Sequence, residues 1–182
     1  MTTYVALLRG VNVSGKKPIR MAELRESCLA LGLQNVRTYL QSGNLVFDTK
    51  QADTRKLASM LTAMIAKKFR HRVDVLVLAA RALNRIAATN PLRPPSSGDA
   101  QTSFHATFLF EPIPANRFSK LTLPAHGNEK ATLTAQVVFL YCPNGYGKTK
   151  LNNNFFQKTL GVVATTRNWR TVLALRDLCA EH

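Results

Sequence analysis

The stretch Val36-Arg37-Thr38-Tyr39-Leu40-Gln41-Ser42-Gly43-Asn44-Leu45-Val46-Phe47 decides the fold. Its β-branched and aromatic residues predict a strand over 36–40, Ser42-Gly43-Asn44 is turn chemistry, and Leu45-Val46-Phe47 resumes a strand. On the N-terminal side of this hairpin, Met21, Leu24, Cys28 and Leu31 recur at helical spacing, and Gly32 suits a helix terminator. On its C-terminal side, Asp53 is placed to cap a helix with the apolar face Leu57, Met60, Leu61, Met64 and Ile65. Outside both helices lie two more apolar runs, 3–8 and 73–78. The order is β-α-β-β-α-β, the split arrangement of ferredoxin-like domains.

Farther along, a short helix is predicted over 79–88, stopped by Asn90-Pro91. Residues 91–102, with Pro94-Pro95-Ser96-Ser97-Gly98, read as a linker. Strands are then predicted over 104–110, 129–134 and 136–141, a brief helix over 114–121, and a helix over 151–160 ended by Gly161. Thr165 or Thr166 is the expected cap of a last helix reaching about Cys179. The expected class is α+β, with two packed subdomains. The first, 1–90, is ferredoxin-like; the second, 103–182, is a β-α-β-β-α-α variant with a helix where a final strand would stand.

The 182 residues are 46% apolar, which suits a folded globular protein. No run is long and apolar enough to span a membrane, and the N-terminus lacks a signal pattern, so a cytoplasmic protein without membrane association is expected. Cys28, Cys142 and Cys179 are widely spaced, as are His71, His105, His126 and His182. Zinc sites need ligands at short spacings, so no metal and no cofactor are expected, and the thiols read as reduced. The net charge is +15, with an excess of +10 in residues 1–90 and +5 in 91–182. Such a field favours anionic partners, either small molecules or nucleic acid.

Several motifs bear on function. Cys142-Pro143-Asn144-Gly145-Tyr146-Gly147-Lys148-Thr149 ends like a P-loop. A P-loop begins with Gly, whereas Cys142 stands there and Pro143 lacks an N–H donor, so no ATP hydrolysis is expected. A ferredoxin-like sheet invites comparison with RNA-recognition modules, which stack bases on aromatic residues of the central strands. In the first half only Tyr4 fits that role; Ser42 and Asn44 stand where other aromatics would be. The loop 10–17, with Gly10, Asn12, Ser14, Gly15, Lys16 and Lys17, has the composition of an anion nest. Arg167 and Asn168 fall in the first turn of the expected last helix, where a cation opposes the helix dipole. The sequence designates no catalytic residue.

Taken together, these segments resemble the DUF1697 family, a bacterial domain of unknown function. The resemblance rests on Tyr4-Val5-Ala6-Leu7-Leu8-Arg9-Gly10-Val11-Asn12-Val13, Met21-Ala22-Glu23-Leu24-Arg25 and the 36–47 hairpin. It continues in Lys150-Leu151-Asn152-Asn153-Asn154-Phe155-Phe156 and Ala164-Thr165-Thr166-Arg167-Asn168-Trp169-Arg170-Thr171-Val172. One departure is Lys148-Thr149-Lys150, where relatives more often carry Arg-Ser-Lys. The resemblance implies two α+β subdomains, the first ferredoxin-like, and no particular activity.

The expected function is binding of an anionic ligand, nucleic acid among the candidates, in a basic cleft between the subdomains. Arg9, Asn12, Lys16 and Lys17 would serve from the first loop, Ser42 and Asn44 from the hairpin, and Lys150, Asn154, Arg167 and Asn168 from the second half. Arg and Lys would contact phosphate while Asn and Ser orient the ligand. The alternatives are an enzyme using the same cations to clamp a small phosphorylated or carboxylated metabolite, and a protein-interaction module.

Overall fold

The computed structural model describes residues 1–124, 126–134 and 136–180; His182, one of the scattered histidines, lies outside them. The chain divides into two units, Met1–Arg85 with Ala174–His182, and Ile86–Leu173.

The first unit contains β1 (Thr2–Leu8), α1 (Met21–Ala30), β2 (Gln34–Tyr39), β3 (Asn44–Thr49), α2 (Thr54–Phe69) and β4 (Val75–Ala79). Its strands form one antiparallel sheet in the order β2-β3-β1-β4, which is ferredoxin-like. Period-2 alternation places Tyr4, Ala6 and Leu8 of β1, Leu45 and Phe47 of β3, and Val75 and Val77 of β4 in one core with Leu24, Cys28, Leu57, Leu61 and Ile65 of the helices. The α2 cap is the expected one: Asp53 Oδ1 accepts from Arg55 N at 2.9 Å and Lys56 N at 3.1 Å. Leu31, expected on the apolar face of α1, lies just past its end and is 37% exposed.

α3 (Ala80–Ala88) follows β4 directly. The second unit then builds β5 (Phe104–Leu109), α4 (Ala115–Ser119), β6 (Lys130–Thr134), β7 (Val137–Tyr141), α5 (Asn153–Leu160) and β8 (Ala164–Asn168), leading into α6 (Trp169–Ala180). Its sheet order, β6-β7-β5-β8, repeats that of the first. Leu109, Val138, Leu140, Cys142 and Ala164 face Leu151, Phe156 and Leu160 in its core. Residues 91–102 belong to this unit and run into a 3-10 turn at Asp99–Ser103, where Gln101 is buried and donates from Nε2 to Pro95 O at 2.9 Å.

One element corrects the sequence reading. The second unit is a full β-α-β-β-α-β repeat, not the β-α-β-β-α-α variant, because Ala164–Asn168 is a strand paired with β5 from Leu109↔Ala164 to His105↔Asn168. Thr165 and Thr166 therefore do not cap a helix. Their β-branched side chains suit the pleated ladder, and Asn168 takes the capping role, its Oδ1 accepting from Arg170 N at 2.9 Å. Strand and helix adjoin with no intervening turn residues, so the usual sequence punctuation is missing.

Candidate functional site

In the first unit, the loop between β1 and α1 is built from left-handed residues. Gly10, Asn12, Ser14, Gly15 and Lys17 all have φ between 47° and 73°. Non-glycine residues hold such angles only where the surroundings compensate. For Asn12 the compensation is visible: Nδ2 donates to Ile19 O at 2.9 Å and Gln41 O at 2.6 Å, and Oδ1 accepts from Ile19 N at 2.8 Å. Asn12 thus closes the loop and ties it to the β2–β3 hairpin. Asn44 is fully buried, and its Nδ2 donates to Tyr39 O at 2.9 Å and to Ser42 Oγ at 3.0 Å. Gly43, at φ 74°, lies so close to the loop that an added Cβ would collide with Val11 and sit 2.7 Å from Leu8 Cβ.

The cations of this loop meet those of the α2–β4 connection. Arg9 N–H donates to Asp74 O at 2.9 Å, and its guanidinium stands 3.6 Å from the Asp74 carboxylate. Lys17 Nζ donates to Arg72 O at 2.6 Å. These bonds tie Arg9 and Lys17 to the chain at Arg72–Asp74; Lys16 and Arg20 flank Lys17 in sequence, and Arg70 stands two residues before Arg72. Lys16, Arg20, Arg70 and Arg72 are exposed. Acidic neighbours include Asp74, beside Arg9, and Glu23, which pairs with Arg20 at 3.3 Å. Tyr4 is excluded from base stacking here: it is 4% exposed, faces the helices and packs on Phe47 at 6.1 Å.

In the second unit, the helix-facing side of β5 and β8 carries a polar cluster that sequence reasoning missed. Thr166 Oγ1 accepts from Tyr146 OH at 3.0 Å, donates to Asn153 Oδ1 at 2.7 Å and lies 2.7 Å from Thr107 Oγ1. The Tyr146 ring stacks on His105 at 4.8 Å. His105 is 6% exposed, and burial pushes its pKa down to about 4, with the Ser103 backbone countering weakly. The ring is therefore neutral near pH 7. Its Nε2 meets Asn168 Nδ2 at 3.4 Å, and its Nδ1 has no hydrogen bond of good geometry among the described residues. A signal did exist in the sequence: His105 and Thr107 alternate with Phe104, Ala106 and Phe108 on the face where apolar residues belong.

This cluster also explains the P-loop look-alike. Tyr146 opens a 3-10 turn, Tyr146–Lys148, preceded by Gly145 at φ 89°. Its ring and hydroxyl fasten the turn to β5 and β8. Thr149 is buried, with Oγ1 accepting from Leu151 N at 3.0 Å, and α5 starts only at Asn153, capped by Asn152 Oδ1 on Phe155 N at 3.1 Å.

The remaining expected site residues fall as follows. Lys150 and Asn154 are exposed, before α5 and on it. Arg167 is a strand residue, so the helix-dipole conflict inferred from sequence does not arise. At 8% exposure it is no surface residue either: Nη1 donates to Thr165 Oγ1 at 2.9 Å and Thr166 O at 3.0 Å. Burial lowers its pKa to about 10, opposed by the nearby Tyr146 phenol. Asn168, besides capping α6, donates to Thr102 O at 3.1 Å.

The thiols are free, and burial raises Cys28 to about 12 and Cys142 and Cys179 to about 11, which leaves them protonated and weakly nucleophilic at neutral pH. Among the described residues, no group of three or more His, Cys, Asp or Glu side chains is placed to hold a metal, and no helix is long and apolar enough to cross a membrane.

Comparison with known proteins agrees with this architecture. The conserved bacterial protein SP0830 from Streptococcus pneumoniae has a solved structure that superposes with a TM-score of 0.76 at 22% identity, covering 98% of each chain. That likeness is one of fold. No curated protein matches the chain. The family model described as "Protein of unknown function (DUF1697)" matches residues 1–139, and the chain belongs to that family.

Proposed function

We propose that this is a cytoplasmic nucleic-acid-binding protein that contacts phosphates with the basic rim of its first unit. The observation that carries the reading is the Lys17 Nζ to Arg72 O bond at 2.6 Å, which joins two cationic loops into one surface. Arg9, Lys16, Lys17, Arg20, Arg70 and Arg72 supply the charge, and among the described residues Asp74 pairs with Arg9 and Glu23 with Arg20. Asn12, Ser42 and Asn44 form the frame that holds the loop. Lys150 and Asn154 offer further exposed polar groups in the second unit, where Arg167 and Asn168 belong to the frame. An overall charge of +15 draws a polyanion toward the protein. Three free thiols, two of them buried, suit a reducing compartment.

Salt dependence of oligonucleotide binding tests this. For roughly four phosphate contacts to a single strand, log K falls with log salt at a slope of about −3. The triple variant Lys16→Gln, Arg70→Gln, Arg72→Gln should make that slope shallower by about 2 without changing the melting temperature. Absence of binding at low salt, or a slope unmoved by the substitutions, refutes the reading.

A further inference from the structure

The second unit carries a feature that the basic rim does not use. Phe104 on β5 and Tyr141 on β7 are register partners on the two central strands, with ring centroids 4.9 Å apart. Tyr141 in turn pairs with Lys130 on β6. Side chains alternate along a strand, so this row points away from the face holding Leu109, Val138 and Leu140 against α5. Farther along the same face, Ala106, Phe108 and Phe139 are fully buried, whereas Phe104 and Tyr141 are only half-buried and Lys130 is exposed. They line a groove of about 450 Å³ whose other wall is Pro91, Leu92, Ala100 and Ser103. That volume lies within the usual range of small-ligand sites.

The wall is held in place. Gln101 Nε2 donates to Pro95 O at 2.9 Å, Cys142 N–H to Ser103 O at 2.7 Å, and Asn168 Nδ2 to Thr102 O at 3.1 Å. Asp99, the acidic group at the start of this turn, pairs with Arg170 at 3.7 Å. The groove thus presents two aromatic rings, an ammonium and a pre-formed wall. We infer that it is a nucleotide site, in which a nucleobase stacks on Phe104 and Tyr141 and Lys130 takes the adjoining phosphate. Aromatic residues on both central strands of this sheet topology are how base-stacking modules read single strands. A sugar stacks on aromatic rings too, yet brings no charge for Lys130. The ligand chemistry, a base next to a phosphate, is common to free nucleotides and to single-stranded nucleic acid.

The test is a titration of the full chain, followed by aromatic NMR signals, with mononucleotides, nucleosides, ribose 5-phosphate and a short single-stranded oligonucleotide. Mononucleotides should shift the Phe104 and Tyr141 signals, and ribose 5-phosphate should bind roughly tenfold more weakly or not at all. Tyr141→Leu keeps an apolar group and should weaken nucleotide binding by about tenfold. The exposed Lys130→Gln, which leaves the fold alone, should weaken nucleotides while sparing nucleosides. An oligonucleotide bound more tightly than a mononucleotide, with both affinities lowered by Tyr141→Leu, identifies single strands as the source; equal affinities identify free nucleotides. Substituting Lys16, Arg70 and Arg72 should leave mononucleotide binding unchanged, so failure of the rim and failure of the groove are read separately. Binding of ribose 5-phosphate as tight as that of nucleotides, or no response of either ring signal, overturns the proposal.

Discussion

The two units share one strand order and differ in where their polar groups work. In the first, the helix-facing positions of the central strand are Tyr4, Ala6 and Leu8, all within an apolar core. Its polar side chains act away from that row: Asn12 closes a loop, Asn44 at the start of β3 closes the hairpin turn, and Asp48 farther along β3 accepts from Asn35 Nδ2 at 2.8 Å. In the second, the corresponding face of β5 runs His105, Thr107, Leu109, and only the last joins the apolar core. A buried polar group without partners costs about 1–3 kcal/mol, which explains why Thr107 and Thr166 come with Tyr146 and Asn153. The same topology therefore tolerates two solutions, one stabilised by loop geometry and one by a hydrogen-bond network within the sheet.

The comparison breaks first at Gly43. Gly43→Val combines a left-handed backbone with a collision against Leu8 and Val11. Strain and overpacking together should lower stability by about 3–5 kcal/mol, seen as a shifted urea midpoint. A variant as stable as the parent would mean that the hairpin does not rest on the loop.

The second unit answers to pH instead. The unfolded chain protonates His105 near pH 6.5, the folded chain only near 4. The unfolded state binds more protons between those values, so stability is full above about pH 6.5 and falls as pH drops toward 4. The total loss is about 3 kcal/mol for this one ring. His105→Gln should remove that part of the slope, while carboxylate titration, common to both proteins, remains. Parallel stability profiles for the two proteins from pH 7 to 4.5 would show that the ring is not buried neutral.

A smaller effect separates frame from ligand contact in the first unit. Asn12→Ala deletes three hydrogen bonds and should cost about 2–3 kcal/mol. Lys16→Gln, a few residues away and exposed, should cost almost nothing and act only on anion affinity. If the two variants melt alike, Asn12 is not the strut described here.

These contrasts also show what the sequence discloses. The first unit was readable because each signal is local: a capping Asp53, a turn at Ser42-Gly43-Asn44, helical spacing of Leu57, Leu61 and Ile65. The strand Ala164–Asn168 was hidden because it is short and passes into α6 without a turn residue. The polar cluster was hidden for a different reason. Tyr146 and His105 are 41 positions apart, and spacing along the chain says nothing about a contact made by the fold. In the sequence Arg167 stands out as a cation at an expected helix start; in the structure it is buried in a strand, and no conflict with a helix dipole arises.

The finest test of the second unit's network is Tyr146→Phe. Thr166 Oγ1 is saturated: it accepts from Tyr146, donates to Asn153, and its second lone pair is left for Thr107. Removing the phenolic hydroxyl keeps the ring stacked on His105 and withdraws one donor. Stability should fall by about 1 kcal/mol, the net worth of one such bond. Thr166→Val alone should cost more, because it strands Tyr146, Asn153 and Thr107 together. In the double variant the Tyr146→Phe loss should largely vanish, a coupling of about 1 kcal/mol. Strict additivity in that cycle would mean that the hydroxyl contributes nothing through Thr166 and that the ring alone fastens the turn. Coupling of the expected size would place the polar face of β5 and β8 on the same footing as the apolar face of β1, as part of what holds the unit together.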